Sequence, residues 1–246
     1  MPMRSCARAS SPAEPAPCLP LVCPNLPPQK GPKLPGRDPM SKPADLAARP
    51  AALPDDPQPV AATLLMIRHA RADDQGRLAG RRDVPANVDP AAAAALAALV
   101  GPVDRIVVSP AMRCRMTAAA LWPDRDAVQD ARLWEQDFGA WEGAAYAHLP
   151  DLGPMTQAEL AETAPPGGES FADVCARIIP ALEAIAAYGG RIAIVAHAGT
   201  VRAALARALG HVPGALSFRV APLSLSRIEA APGGWAIDGV NMMAET

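Results

Sequence analysis

The chain has 246 residues, half of them apolar, with 20% charged and a formal net charge of −2, which is enough apolar material for one sizeable core. From residue 61 onward the basic side chains are 16 arginines against 20 acidic groups, and all three lysines (Lys30, Lys33, Lys42) precede that point. A mildly acidic, lysine-free stretch excludes a general nucleic-acid face and a lysine-dependent phosphate loop, and no apolar run approaches the ~20 residues that span a bilayer.

Residues 1–60 contain 16 of the 29 prolines, in runs such as PAEPAPCLP and NLPPQKGPKLPGRDP. A segment short of backbone donors and without an apolar period cannot recover its ordering entropy. A disordered or extended tail is therefore expected over 1–60, with the folded domain at 61–246. Its best apolar stretch, Leu19 to Cys23, is interrupted by Pro20 and too short for a secretory signal, so a cytoplasmic protein is expected. Met40 offers an alternative start, which N-terminal sequencing of native protein distinguishes.

TLLMI (63–67) has the length of a buried strand, and PAAAAALAALV (90–100) reads as a helix behind Asp89 as N-cap, stopped at Gly101-Pro102. RIVVS (105–109) is a second strand and MRCRMTAAAL (112–121) a helix ended by Pro123. Residues 132–168 are irregular apart from a helix around 155–163 and the turn APPGG. Ser170, with Asp173 in capping-box position, opens a helix with Phe171, Val174, Ile178, Leu182 and Ile185 on one face, which Pro180 should kink or divide. RIAIVAH (191–197) is a strand, followed by the helix GTVRAALARAL and the stop Gly210, then a hairpin around Pro232-Gly233-Gly234. The alternation predicts a three-layer α/β/α sandwich with a mainly parallel sheet.

Five cysteines (Cys6, Cys18, Cys23, Cys114, Cys175) form no CxxC pair, which argues against a disulfide framework or zinc site. Cys114 and Cys175 read as small buried hydrophobes.

Two of the strands end in histidines, His69 and His197, and a third end, Ser109, leads into a helix that presents Arg113. In an open α/β sheet the carboxyl ends of parallel strands line the ligand crevice, so these residues can meet Arg68 at one rim. Clustered guanidiniums and imidazoles ask for an anion, and Gly199-Thr200 open a helix that adds to the same preference. Phosphate is the simplest ligand. A cysteine-phosphatase loop needs Arg six positions after Cys, where this chain has Pro12, Pro24, Gln29, Ala120 and Ala181. Histidine is left as nucleophile, since a neutral imidazole can attack phosphorus. Glu135 is the carboxylate of most interest as an acid, although Glu142 sits seven residues on and spacing does not separate the two.

In order along the chain, RHA (68–70), SPAMRCRMTA (109–118), LWEQDFGAWEG (133–143), PPGGES (165–170) and VAHAGTVRAAL (195–205) resemble the signature segments of the histidine phosphatase superfamily, also called phosphoglycerate-mutase-like. The resemblance implies that His69 is the phosphorylated nucleophile, that Arg68, Arg113 and His197 form the phosphate pocket, His197 with a catalytic part, and that Glu135 is the proton donor. It implies no metal or cofactor, and a small-molecule phosphomonoester as substrate. Ala70 replaces the family glycine and Arg71-Ala72 its frequent Glu-Thr, while Asp73, Asp74 and Gln75 stand where many members have an Asn. GRLAGRRDVP (76–85), DFGAWEG and PPGGES look most like the α-ribazole-5'-phosphate phosphatases of cobalamin synthesis. The rivals are a phosphoglycerate mutase, for which the middle segment is short, and a non-catalytic phosphate-ligand sensor. Arg115 and Arg202 are expected as surface charges or substrate-edge contacts, Glu169 as a group steadying a helix start, and His148 and His211 as exposed loop residues.

Overall fold

The computed structural model describes residues 61–245, so the expected Pro-rich tail over 1–60 lies outside the described residues. In chain order the elements are β1 (Ala62–Arg68), α1 (Pro90–Val100), β2 (Arg105–Val108), α2 (Met112–Leu121), β3 (Val128–Gln129), α3 (Gln157–Glu162), α4 (Phe171–Ala186), β4 (Gly190–Ala196), α5 (Ala198–Leu209), β5 (Leu225–Ala231) and β6 (Gly234–Met242). They build a six-stranded sheet in the order β3-β2-β4-β1-β5-β6. Pairs β1/β4, β4/β2 and β2/β3 are parallel, and the hairpin β5–β6 adds to β1 antiparallel at one side. The sheet is mainly parallel, as expected.

Alternation along β1 explains the layers. Leu64 and Met66 join the core formed with α4 and α5, whereas Leu65 and Ile67 join the one formed with α1 and α2. All four are 0% exposed, which is why this strand reads as an unbroken apolar run rather than an alternating one. Burying each such side chain contributes about 1.5–3 kcal/mol, so the strand is a rigid support for whatever follows it.

Local signals act as the sequence suggests. Asp89 caps α1 by accepting from Ala91 N at 2.9 Å, Ser170 and Asp173 form a reciprocal capping box on α4, and Gly210 ends α5 at a left-handed φ of 64°. One expectation needs correction: α4 is not divided at Pro180 but runs through it for 16 residues. Pro180 and Ala176, whose carbonyl loses its N–H partner, are both exposed, so water satisfies that carbonyl and packing of the opposite face holds the helix together. The two-residue edge strand β3 was not expected, being too short to show any period. Among the described residues no helix is long and apolar enough to cross a membrane.

Parallel register sets the site. Arg68 lies opposite Ala196, and Val108 opposite Val195, so β1, β4 and β2 all end at one rim.

Candidate active site

Each of the three strands runs one residue past its ladder into that rim. His69 N donates to Ala196 O at 2.9 Å and Ser109 N to Val195 O at 3.0 Å. The imidazoles of His69 and His197 consequently meet edge to face, with centroids 5.2 Å apart at 69°.

Arg113, the second residue of α2 and 1% exposed, links the two rings. Its Nε donates to His69 Nε2 at 3.3 Å, and a guanidinium can only donate, so Nε2 carries the lone pair. The ring proton then sits on His69 Nδ1, which donates to Ala70 O at 2.6 Å. Burial pushes the His69 pKa down to about 3; the bond to Ala70 opposes this, and the charges of Arg113 and Arg68 reinforce it. His69 is therefore a neutral imidazole with its lone pair on Nε2. Thr117 Oγ1 steadies this arrangement by accepting from Ala70 N at 2.9 Å while donating to Arg113 O at 2.7 Å. Ala70 has no left-handed φ, so an alanine there is unstrained.

The same logic fixes His197. Arg113 Nη2 lies 3.3 Å from its Nδ1, which must accept, and Nε2 donates to Ser109 Oγ at 2.8 Å. Burial, then the charges of Arg113, His69 and Arg68, hold its pKa well below the ordinary value. Trp134 stacks on the ring at 6.4 Å between centroids.

The Arg113 fork stands on backbone carbonyls of one loop: Gly80 O at 2.7 Å, Arg82 O at 3.0 Å and Ala79 O at 3.4 Å. That loop is pinned by Glu142, whose carboxylate accepts from Arg81 N at 2.7 Å, Gly80 N at 3.2 Å, Phe138 N at 3.2 Å and Arg82 N at 3.3 Å. Only glycine fits at 80, because a Cβ there would lie 2.6 Å from both the Phe138 ring and Glu142 Oε1.

Glu135 behaves differently. Its carboxylate sits against the start of α5, with Gly199 N 3.2 and 3.4 Å from its two oxygens. Gly199 makes the room, since a Cβ would collide with Oε1. The segment is held from behind by Arg177 of α4, which donates to Arg132 O at 2.7 Å and Trp134 O at 3.0 Å and pairs with Glu169 at 2.7 Å. Arg68 donates from Nη1 to Val220 O at 2.5 Å, while its buried Nε has no partner. Burial lowers the Arg68 pKa and the nearby Glu135 charge opposes that.

A cavity of about 380 Å³ opens onto Arg68, His69, Arg113 and Glu135. Four of the five expected site residues thus share one space. His197 does not line it; it lies directly behind Arg113, fully buried. Glu142 also stays out, which separates it from Glu135 in a way spacing did not. Arg202 lines the cavity, whereas Arg115 is exposed with Nε on Pro110 O at 3.0 Å. His148 and His211 are exposed, and Cys114 and Cys175 buried, as expected. Arg177 and Tyr146 were missed, since no motif or period marked them, and Trp141, although inside the segment LWEQDFGAWEG, was not read as a cavity residue. Among the described residues no group of three or more His, Cys, Asp or Glu is placed to hold a metal ion.

Residues 64–243 match the family model described as histidine phosphatase superfamily (branch 1). The bifunctional protein Rv2228c of Mycobacterium tuberculosis is 33% identical over 202 residues, covering 70% of this chain and 56% of its own length, so the chain spans about half of that relative. Among solved structures, the mycobacterial glucosyl-3-phosphoglycerate phosphatase Rv2419c is 26% identical with a TM-score of 0.65, over 74% of this chain and 99% of that one. The α-ribazole phosphatase of Shigella flexneri, at 22% identity and a TM-score of 0.64 over 75% and 100% of the two chains, shares the fold.

Proposed function

The chain belongs to the histidine phosphatase superfamily, and on that premise we propose that it hydrolyses the phosphomonoester of a small molecule through a phosphohistidine on His69. The family match and the phosphatase neighbours support a phosphatase activity. The observation that carries the finer reading is the state of His69: neutral, with Nδ1–H engaged by Ala70 O and the Nε2 lone pair free of a proton.

In the first step the Nε2 lone pair attacks phosphorus in line, the bond from phosphorus to the ester oxygen breaks, and Glu135 in its acid form gives its proton to the departing alcohol. Arg113 and Arg68 spread the charge that develops on the equatorial oxygens. The unpartnered Arg68 Nε is a donor suited to one of them. His197, buried behind Arg113 rather than lining the cavity, takes part by orienting the Arg113 fork through Nδ1. In the second step the Glu135 carboxylate takes a proton from water, the water oxygen attacks phosphorus, the P–N bond breaks, and inorganic phosphate leaves with His69 neutral again. Both proton transfers are assigned to Glu135, whose carboxylate lies at the start of α5 and lines the cavity that His69 also lines. The reaction needs no cofactor.

We take 61–246, after the Pro-rich stretch, as the catalytic unit and expect the reaction to run in the cytoplasm. The substrate proposed is α-ribazole 5'-phosphate, supported by the motif likeness of residues 76–85, DFGAWEG and PPGGES.

The test is phosphate release by the full chain from p-nitrophenyl phosphate, α-ribazole 5'-phosphate, glucosyl-3-phosphoglycerate and 3-phosphoglycerate. Vanadate-sensitive, EDTA-insensitive hydrolysis that His69→Ala abolishes with its circular dichroism unchanged is expected. Transfer between phosphoglycerates without phosphate release points to a mutase, and binding without turnover to a sensor; either overturns the proposal.

A further inference from the structure

The cavity extends well beyond the phosphate-binding residues, and most of its remaining wall is apolar. Phe138, Trp141, Tyr146, Leu152, Leu160 and Leu216 converge on it from separate segments. Tyr146, Leu152 and Leu160 are 50%, 40% and 41% exposed. Large apolar side chains held open at the mouth of a polar-ended cleft mark a surface that a ligand covers. About 380 Å³ is also more than a phosphate group needs and lies in the range of sites that hold a ring-sized molecule.

The charges of that wall point the same way. Apart from the phosphate-binding residues and Glu135, only Asp74 and Arg202 are charged among the lining residues. Asp74 is already satisfied by Tyr146 Oη at 2.8 Å and Gly76 N at 2.9 Å, and its negative charge opposes a second anion on the substrate. Arg202 donates from Nε to Phe218 O at 3.2 Å and lies close enough to Arg68 to lower its pKa, so its field adds to that of the phosphate end. A carboxylate lodged against the apolar wall, out of reach of Arg202, would lose water against hydrocarbon, which is costly without dedicated partners.

We infer that the site selects phosphate esters whose alcohol carries an aromatic or similarly flat apolar body and discriminates against those bearing a further carboxylate; this rests on the phosphatase reading above. α-Ribazole, with its benzimidazole ring, falls in the selected class, whereas phosphoglycerates do not.

Ester reactivity must be held level for the test, so esters of alkyl alcohols are compared: kcat/KM for 2-phenylethyl phosphate, ethyl phosphate and 3-phosphoglycerate, with p-nitrophenyl phosphate as the activity control. The phenylethyl ester is expected to exceed each of the other two by about 10- to 200-fold, the span a well-fitted apolar pocket gives. Leu160→Asp, or Leu152→Asp should the first fail to fold, is expected to cut that ratio at least about tenfold. A ratio of one or below, or a ratio that neither variant moves, overturns the inference while leaving the phosphatase reading standing, provided p-nitrophenyl phosphate is hydrolysed. Failure to hydrolyse any ester, the control included, overturns both.

Discussion

Gly199→Ala separates the chemistry from the fold. Gly199 is the second residue of α5, and its φ is not left-handed, so alanine suits its backbone and should favour the helix by up to about 1 kcal/mol. The only obstacle is Glu135: the new methyl would collide with Oε1 and sit 3.4 Å from Cδ, while the next neighbour, Val174 Cγ1, is 3.7 Å away at ordinary contact distance. A flexible side chain yields before a helix does, so the carboxylate moves off the α5 amides. If Glu135 protonates the leaving group, the variant loses general-acid catalysis, typically worth 10²- to 10⁴-fold, or about 2.7–5.5 kcal/mol of barrier. The loss should be large for an alkyl ester and far smaller for p-nitrophenyl phosphate, whose anion leaves without a proton. Thermal denaturation should show Tm unchanged or raised by up to about 4 °C. Wild-type turnover of an alkyl ester, or equal losses on both esters, would refute the assignment of Glu135.

Two further outcomes follow from the same contacts. His69 has a folded pKa of about 3 against 6.5 for an exposed imidazole, so the unfolded chain binds the proton first and stability falls as pH drops below 6.5. Between pH 7.5 and pH 5 this costs about 2 kcal/mol from His69 alone, with His197 acting in the same direction. Urea midpoints at the two pH values measure it, and a flat profile contradicts the buried neutral pair. Glu142→Ala removes the acceptor of four backbone N–H groups, which should cost about 2–4 kcal/mol and about 5–15 °C in Tm. Because the loop so freed carries the Arg113 fork, kcat should fall at least about tenfold in that variant assayed below its Tm; unchanged kcat in a destabilised protein would show that the loop does not position Arg113.

Much of this was legible because strand ends carry it. The runs before His69, Ser109 and His197 are apolar on both faces, which signals a parallel sheet, and a parallel sheet brings its carboxyl ends together. Family membership was legible from five ordered segments. The distinction between Glu135 and Glu142 was not, because it depends on which carboxylate meets the α5 amides and which meets the 80–82 loop, a matter of tertiary packing. Arg177 escaped notice for a similar reason: a helix arginine reads as solvated until the 132–135 backbone is laid against it. The apolar wall draws on the irregular stretch 138–152, the short helix α3 and the turn at 213–217, none long enough for a period to distinguish a pocket residue from a surface one. Of the two outcomes expected at Pro180, division did not occur, because helix breaking is a local rule and here the unpaired Ala176 carbonyl lies on the wet face of a helix whose other face is buried.

The central claim is a phosphoryl group carried on His69 Nε2. Rapid mixing with a phosphorus-labelled ester, alkaline quenching and peptide mapping should give one acid-labile, base-stable label per chain on the peptide containing Arg68-His69-Ala70, appearing and decaying at rates compatible with turnover and missing in His69→Ala. Label on any other residue, or turnover that persists in His69→Ala without label, would contradict the account.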